Sequence, residues 1–528
     1  MSNQSPIKHV VISRFTIRPP VENDPRLLSS RTKALIIVIL AMCAASSGFS
    51  STIYFPGIPD ITVDLNAPPI ATTLTAALFI LFMGIAPVFW ASFSDYYRIR
   101  RFLFILSMAI FGLASLGAAL VTNIWGLVVL RCVQALGASC GQSVGAGVIA
   151  DCYPIERRGA AFGKYFFGVF FGPLIGPILG GFLIMSDLKW RATFLFCFAF
   201  AFTVVLLITF TYPETYRENE KWDTSLPITT TSDSYKNEKQ QQTATKNNND
   251  NGSESTRISL EQEPDNVSTN SKQSRTIAAS SNIDPAFSKN NNDNNNEDAI
   301  EIKKKKTLNP IKPFLYLRHP HVLLASLVTA VAFGSMFAVE TIIPDLFESN
   351  YGFVPWQTGL SYLGAGVGNL CGAFINTFLS DRLLLRARAK RGGHALVEDR
   401  IGINVWPCGF ILMPFGLLLF GWGIGTGMSY WTGIIGFGIQ NFGMNQIMTA
   451  LSAYLVDSAP GIGASFTAAA NFLRMITACA LTLAANPMVK AIGPGYTCVF
   501  LAALTYISMG LLVILKIYGG RMRRYSGY

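Results

Sequence analysis

The sequence predicts an all-α polytopic membrane protein with twelve transmembrane helices arranged as two six-helix halves. Three observations lead there. Half of the 528 residues are apolar and only 14% are charged, with a mean hydropathy of +0.37, whereas a soluble chain carries about a quarter charged residues. The apolar residues gather in continuous blocks long enough to cross a bilayer. The basic residues gather between those blocks, on alternate connections.

A helix needs about 20 apolar residues to cross the hydrocarbon core. Blocks of that length run over 34–56, 69–92, 102–121, 124–149, 160–185 and 192–211 in the first half. The second half offers 321–343, 356–378, 403–421, 430–455, 463–487 and 496–516. They are continuous, not alternating, so helices and not barrel strands are expected. The first block is too long for a signal-peptide core and is expected to be a retained span.

Orientation follows from Lys and Arg in the short connections. The second, fourth and eighth loops hold Arg98, Arg100 and Arg101; Arg157, Arg158 and Lys164; and Arg382, Arg386, Arg388, Lys390, Arg391 and Arg400. Both tails are basic too. The odd-numbered loops hold only Lys189, Arg191 and Lys490. Both termini and the central insert are therefore expected in the cytoplasm, which an even number of spans requires. The expected organisation is a tail at 1–33, a six-helix half at 34–211, a linker at 212–312, a second half at 313–517 and a tail at 518–528. The linker is rich in Asn, Ser, Lys, Gln and Thr, with asparagine runs at 247–249 and 290–296. Such a stretch cannot bury enough apolar surface to offset its ordering cost, so disorder is expected. Its sequons at Asn251 and Asn266 would face the cytosol unmodified.

The net charge of +11 invites a nucleic-acid reading, but its placement in loops argues for a membrane protein instead. The run Lys303–Lys306 could touch anionic lipid or be a solvated charge run. Nine scattered cysteines form no C-x-x-C pair and read as buried free thiols. His9, His319, His321 and His394 are read as lying outside the spans, which argues against a metal site and against a histidine relay. No cofactor is expected. The sequence contains no nucleotide loop, metal-ligand spacing or nucleophile motif, so an enzyme or an ATP-driven pump is not expected.

Several polar residues fall inside the blocks. Arg131 costs at least about 2.5–3.5 kcal/mol at the centre of a span, so it should face a cavity or a partner. Bonding to backbone carbonyls across the bundle is the alternative. Gly168, Gly172, Gly176 and Gly180 repeat every four positions and lie along one helix face, where another helix can approach closely. Pro173 and Pro177 remove backbone donors beside them. The tenth block is polar for its depth, with Gln440, Asn441, Asn445 and Gln446, and residues 441 and 445 share a face. With Gln134, Gln142 and Asn369 they could line one substrate cavity or simply bond neighbouring helices. Asp457 and Arg474 are read as a possible pair near the end of the tenth block, with snorkelling of the arginine as the alternative.

Specific motifs now resemble a known family. Arg131-Cys-Val-Gln134-Ala-Leu-Gly137 resembles the R-x-x-Q-G-x-G signature of the fourth span in major facilitator drug:proton antiporters. The stretch from Gly168 to Gly181, with Gly172-Pro173 and Gly176-Pro177, looks like their fifth-span antiporter motif. Gly145 to Asp151 followed by Glu156-Arg157-Arg158-Gly159, Pro213-Glu214-Thr215 and Tyr454-Leu455-Val456-Asp457 are similar to the fungal twelve-span branch, the quinidine- and polyamine-resistance-like transporters. The family loop G-x-x-x-D-R-x-G-R-R is replaced by Ala91 to Arg101: Asp95 and the basic cluster remain, the first glycine is Ala91 and the second is Arg98. Leu379-Ser380-Asp381-Arg382 sits at the equivalent place of the second half, as two related halves require.

The resemblance implies a major facilitator fold and export of small organic molecules in exchange for protons, by a monomer needing only substrate, protons and a lipid bilayer; the plasma membrane is the expected location, with a vacuolar membrane as the alternative. Arg131 would then couple protonation to substrate binding. Because arginine keeps its proton, it would act on a neighbouring group. Glu340, near the end of the seventh block, is the candidate proton carrier, or else an ionised acid at the outer rim. Asp95 with Arg100 could close the inner gate, or serve only to set topology. A dedicated carrier of one metabolite, such as a polyamine, amino acid or siderophore, fits the same fold. A non-transporting membrane receptor is the rival of another class.

Overall fold

The computed structural model describes residues 24–217, 312–389, 392, 396–458 and 463–527. These belong to one compact unit; the other, Asn219–Lys305, lies outside the described residues. Most of the expected linker, both sequons, the run Lys303–Lys306, His9 and His394 fall outside them as well.

Twelve long helical rods follow in chain order among the described residues. The first half comprises α1 (Ser30–Thr52), α2 (Pro69–Tyr97), α3 (Arg101–Leu120), α4 (Ile124–Cys152), α5 (Ile155–Ile184) and α6 (Arg191–Thr211). The second comprises α7 (Pro320–Tyr351), α8 (355–389), α9 (Val405–Gly425), α10 (Tyr430–Ser458), α11 (463–492) and α12 (494–525). The last two form a continuous helical run broken only at Gly493, whose φ of 80° and ψ of 166° fit no right-handed helix. Eight stretches are long and apolar enough to cross a membrane, the α11–α12 run counting as one. The remaining rods, α5, α8 and α10, are diluted by glycines and amides that pack inward.

Local chemistry sets the ends. Proline opens α2, α7 and the first segment of α8, where its missing N–H costs nothing. Asn123 caps α4 by accepting from the Trp125 N–H at 2.9 Å. Gly352, at φ 65°, ends α7. Arg98 ends α2 in the left-handed region, at φ 55° and ψ 45°, which is the position where the resembling family carries glycine. Residues 212–217, assigned by the sequence to the linker, instead pack against the first half and supply a cap described below.

Each half has its own tight seams, α1 on α5 and α3 on α6 in the first, α7 on α11 and α8 on α10 in the second. The halves meet through α2 on α11 and α5 on α8. Take the end of the bundle that carries residues 24–30 and 525 as the terminal end, and the other as the distal end. At the distal end the Phe182 and Trp356 rings stack at 6.2 Å and the Phe55 and Tyr362 rings lie 6.4 Å apart. Asn486 on α11 donates to Thr73 Oγ1 on α2 at 3.1 Å. One apolar core runs through both halves here, from Phe55 and Ile58 to Ile343 and Phe347. A second core, including Leu40, Phe104 and Val148, belongs to the first half alone.

Candidate functional site

The fifth-block glycines do what their spacing predicts, and their partner is α1. A Cβ at Gly168 would come within 2.6 Å of the Ala41 carbonyl oxygen, and one at Gly172 within 2.6 Å of that of Ala45. At Gly176 it would meet Thr52 Oγ1 at 2.6 Å, and at Gly180 it would fall on the Ile53 carbonyl oxygen. Pro173 rests against Gly48 in the same seam. The opposite neighbour of α5 is α8, where Gly181 lies against the Pro355 backbone and Leu174 against Gly366.

Arg131 is fully buried within the first half. Its Nη1 donates to the Ser50 carbonyl at 2.8 Å, to Ser50 Oγ at 3.0 Å and to Gln134 Oε1 at 2.6 Å. Gln134 Nε2 in turn donates to Ser115 Oγ at 2.7 Å. The guanidinium carbon sits 4.3 Å from the Tyr54 ring centroid and 4.1 Å from that of Phe79. Cation–π attraction and three hydrogen bonds together offset part of the cost of burying the charge. Arg131 Nε and Nη2 have no hydrogen-bond partner among the described residues. Gln142 ties α4 to α1 through Ser47 Oγ at 2.8 Å.

The second half repeats these stations with different residues. Gln134 lies ten residues after the start of α4 and Gln440 ten after the start of α10; Ser50 lies twenty after the start of α1 and Glu340 twenty after that of α7. Phe437 stands where Arg131 does. Glu340 is 5% exposed, and its Oε2, together with Oε1 and Nε2 of Gln440, has no hydrogen-bond partner among the described residues. Tyr362 Oη donates to the Glu340 backbone carbonyl at 2.7 Å. The Tyr362 ring leads through Phe55 to Tyr54, so a file of aromatic rings connects the two stations.

The other amides stitch helices together. Asn369 donates to Asn441 Oδ1 at 3.1 Å and Asn376 to Asn445 Oδ1 at 3.2 Å, both between α8 and α10. Gln446 donates to the Gly372 carbonyl at 2.9 Å and accepts from Asn404 at 2.8 Å. Asn376 and Asn404 are members that sequence reasoning missed. Only their position within helix-forming stretches facing α10 could have marked them.

At the terminal end each half closes an Arg–Asp bridge. Arg100 Nε meets Asp151 Oδ2 at 3.2 Å, and Arg400 Nε meets Asp457 Oδ2 at 2.6 Å. Asp151 and Asp457 both lie twenty-seven residues into their helices, so the bridges are equivalents. Glu214 accepts from the backbone N–H of Arg100 and Arg101 at 3.0 and 3.2 Å, capping α3, and from those of Thr215 and Tyr216. Burial pushes its carboxyl above the usual range against those four donors. The side chains of Asp95 and Asp381 lie outside the described residues. Two readings change. Asp457 pairs with Arg400, while Arg474 lies against Asn471, Met448 and the Phe333 ring. His321 is not in a loop: it is buried in the first turn of α7, beside the Phe466 ring at 5.7 Å.

Two six-helix bundles with matched polar stations and matched bridges define a repeat-built helical membrane protein of the secondary-transporter kind. The model described as Major Facilitator Superfamily matches residues 40–482, and the chain belongs to that superfamily. It is similar to "MFS antiporter QDR3" of Candida albicans, 28% identical with 98% of this chain and 82% of that one covered. "Quinidine resistance protein 3" of Saccharomyces cerevisiae is 26% identical over 96% of this chain and 85% of its own length. Among solved structures, a bacterial homologue of the human lysosomal transporter Spinster shares the fold with a TM-score of 0.57 and 14% identity, covering 94% of this chain and 98% of that one.

Proposed function

We propose that this transporter exports small organic molecules in exchange for protons, with both termini in the cytoplasm and the plasma membrane as its site. The observation that carries the reading is Glu340, a buried carboxyl with an oxygen that no described residue satisfies, standing where the other half has Ser50, which accepts from Arg131 through both its carbonyl and its hydroxyl. An unsatisfied buried acid inside a span is expensive, and function is the usual reason to keep one. Glu340 takes up a proton in one stage of the cycle and gives it up in another. Arg131, which keeps its charge, holds the first half's station fixed while the second changes. The antiporter and drug-resistance names of two relatives support the same direction. With the termini inside, the distal end, where aromatic rings of the two halves meet, is the outer end.

The test is substrate-stimulated proton flux in proteoliposomes with an internal pH dye, under an imposed pH gradient, for wild type and Glu340→Gln. Lipophilic cations, weak acids and polyamines form the panel. Flux in wild type that is lost in the variant is expected. Flux that survives the substitution removes Glu340 as the carrier, and no flux from folded protein across the panel removes the export reading. A single competitor that blocks all flux would favour a dedicated carrier.

A further inference from the structure

A groove of about 710 Å³ runs along the flank of the first half at its terminal end. Every residue lining it belongs to that half: it is floored by α1 and bounded by α5, α6 and the Tyr153–Pro154 turn. None of its lining residues takes part in the stations of Arg131 and Glu340. Its lower wall is apolar, with Val38, Met42 and Phe200, and Val38 is 54% exposed although it sits inside a membrane span. Its mouth is basic, with Arg26, Lys33 and Lys164.

Among the described residues no carboxylate closes a salt bridge with Arg26, Lys33 or Lys164, although the Asp24 charge also acts on Arg26. Asp24 is held by Arg217 at 3.0 and 3.1 Å, and Asp151 by Arg100 at 3.2 Å. Lys33 Nζ donates to the Arg26 carbonyl at 2.7 Å and lies 5.4 Å from the Tyr153 ring centroid, which fixes it at the rim. Arg26 Nε is buried without a hydrogen-bond partner among the described residues. From Lys33 to Phe49 the α1 floor is seventeen residues long, or about 24 Å over its sixteen steps of helical rise, enough for an acyl chain reaching toward the bilayer centre.

We propose that this groove binds one anionic phospholipid from the leaflet at the terminal end, its headgroup on Arg26, Lys33 and Lys164 and a tail along Val38, Met42 and Phe200. The charge at the mouth selects an anion, and the apolar floor selects a molecule with a chain. A soluble anion would satisfy only the first, and a neutral lipid only the second. If the terminal end is cytoplasmic, as proposed above, the groove opens to the leaflet rich in anionic lipid.

Native mass spectrometry of the full-length chain in detergent with equal amounts of phosphatidylserine and phosphatidylcholine tests this. Wild type is expected to retain phosphatidylserine at least about thirtyfold over phosphatidylcholine, the order that two or three cations at about 1 kcal/mol each confer. Lys33→Gln with Lys164→Gln should bring the ratio near one. Val38→Trp, which fills the floor and keeps the charges, should lower retention of both lipids. Arg386→Gln with Arg521→Gln, which removes exposed cations elsewhere, should leave the ratio unchanged. Glycerophosphoserine, the headgroup without chains, should not compete. A wild-type ratio near one, a ratio indifferent to the lysine pair, equal loss in the control pair or full competition by the headgroup overturns the proposal. Flux is not the readout, so failure here is distinct from failure of proton coupling.

Discussion

Gln134 and Gln440 occupy the same station on equivalent helices, yet Gln134 bonds to Arg131 and Ser115 while neither end of the Gln440 amide has a partner among the described residues. The repeat thus keeps the position and divides the role. One glutamine holds a charge in place, and the other is left with unmet donors and an acceptor. Replacing each by methionine should separate the two. Gln134→Met removes a charge-assisted bond and should cost about 1–3 kcal/mol, lowering the thermal midpoint in detergent. Gln440→Met removes an uncompensated buried amide and should leave the midpoint unchanged or raise it, while transport falls. Equal midpoint losses would sink this division.

Arg131→Lys keeps the charge but loses the planar fork. A lysine can sit over the Tyr54 and Phe79 rings but cannot match the guanidinium's directed donors to Ser50 and Gln134. Membrane abundance should stay within about twofold of wild type, and flux per molecule should fall at least about tenfold. Flux near the wild-type rate, measured against quantified protein, would show that the fork is dispensable.

Arg98 ends α2 with φ at 55°. A side chain in this region costs about 1–2 kcal/mol relative to the right-handed one, and glycine escapes that cost. Arg98→Gly should therefore raise the melting midpoint, by an amount reflecting roughly 1 kcal/mol. A lower midpoint would mean that contacts of the Arg98 side chain outweigh the backbone strain.

Asp24 ties the segment before α1 to Arg217. Burial alone would raise its carboxyl, but the bonds from Arg217 and from the Arg26 N–H outweigh that and hold it below the usual range. Its folded value thus lies below its unfolded one, near 3.9 for an ordinary aspartate. The clamp's stabilisation is complete above that value and is lost as pH falls through the folded one. Protection against hydrogen exchange in residues 24–30, taken relative to the intrinsic rate at each pH, should be flat from neutral to mildly acidic pH and fall only in stronger acid. Asp24→Asn should reproduce the acid behaviour at neutral pH, and unchanged exchange in that variant would refute the clamp.

The spans were legible because apolar blocks of bilayer length are a strong signal, and the α1–α5 seam because glycine at every fourth position marks one face. Helix ends were less so. α2 runs on to Tyr97 and α8 to position 389, through polar residues that hydropathy assigns to loops. Arg131 announced itself by its cost, but its rings come from Tyr54 and Phe79, on other helices, and no spacing rule connects them. Asn441 and Asn445 were visible as one face, while Asn376 and Asn404 became visible only once α8 and α9 were packed on it. Arg474 misled because nearness along the helix ends suggested Asp457, and the structure gives that acid to Arg400 instead. Asp151 and Glu214 stood out as motif members, but their tasks, a bridge and a cap, depend on segments about fifty and more than one hundred residues away in sequence.

Helix α5 faces two neighbours with unequal freedom. Toward α1 its four spaced glycines admit backbone, the Ala41 methyl and the Thr52 hydroxyl, and that seam lies inside one half. Toward α8, Gly181 meets the Pro355 backbone and Gly359 meets the Pro177 carbonyl, and this contact joins the halves. This stretch of the contact is backbone on glycine, and farther along the same two helices the Leu174 side chain is seated against Gly366. If the distal end opens as the proposed export cycle requires, this stretch parts with little rotamer change, and the Phe182–Trp356 stack and the Leu174–Gly366 contact are the side-chain contacts that must break.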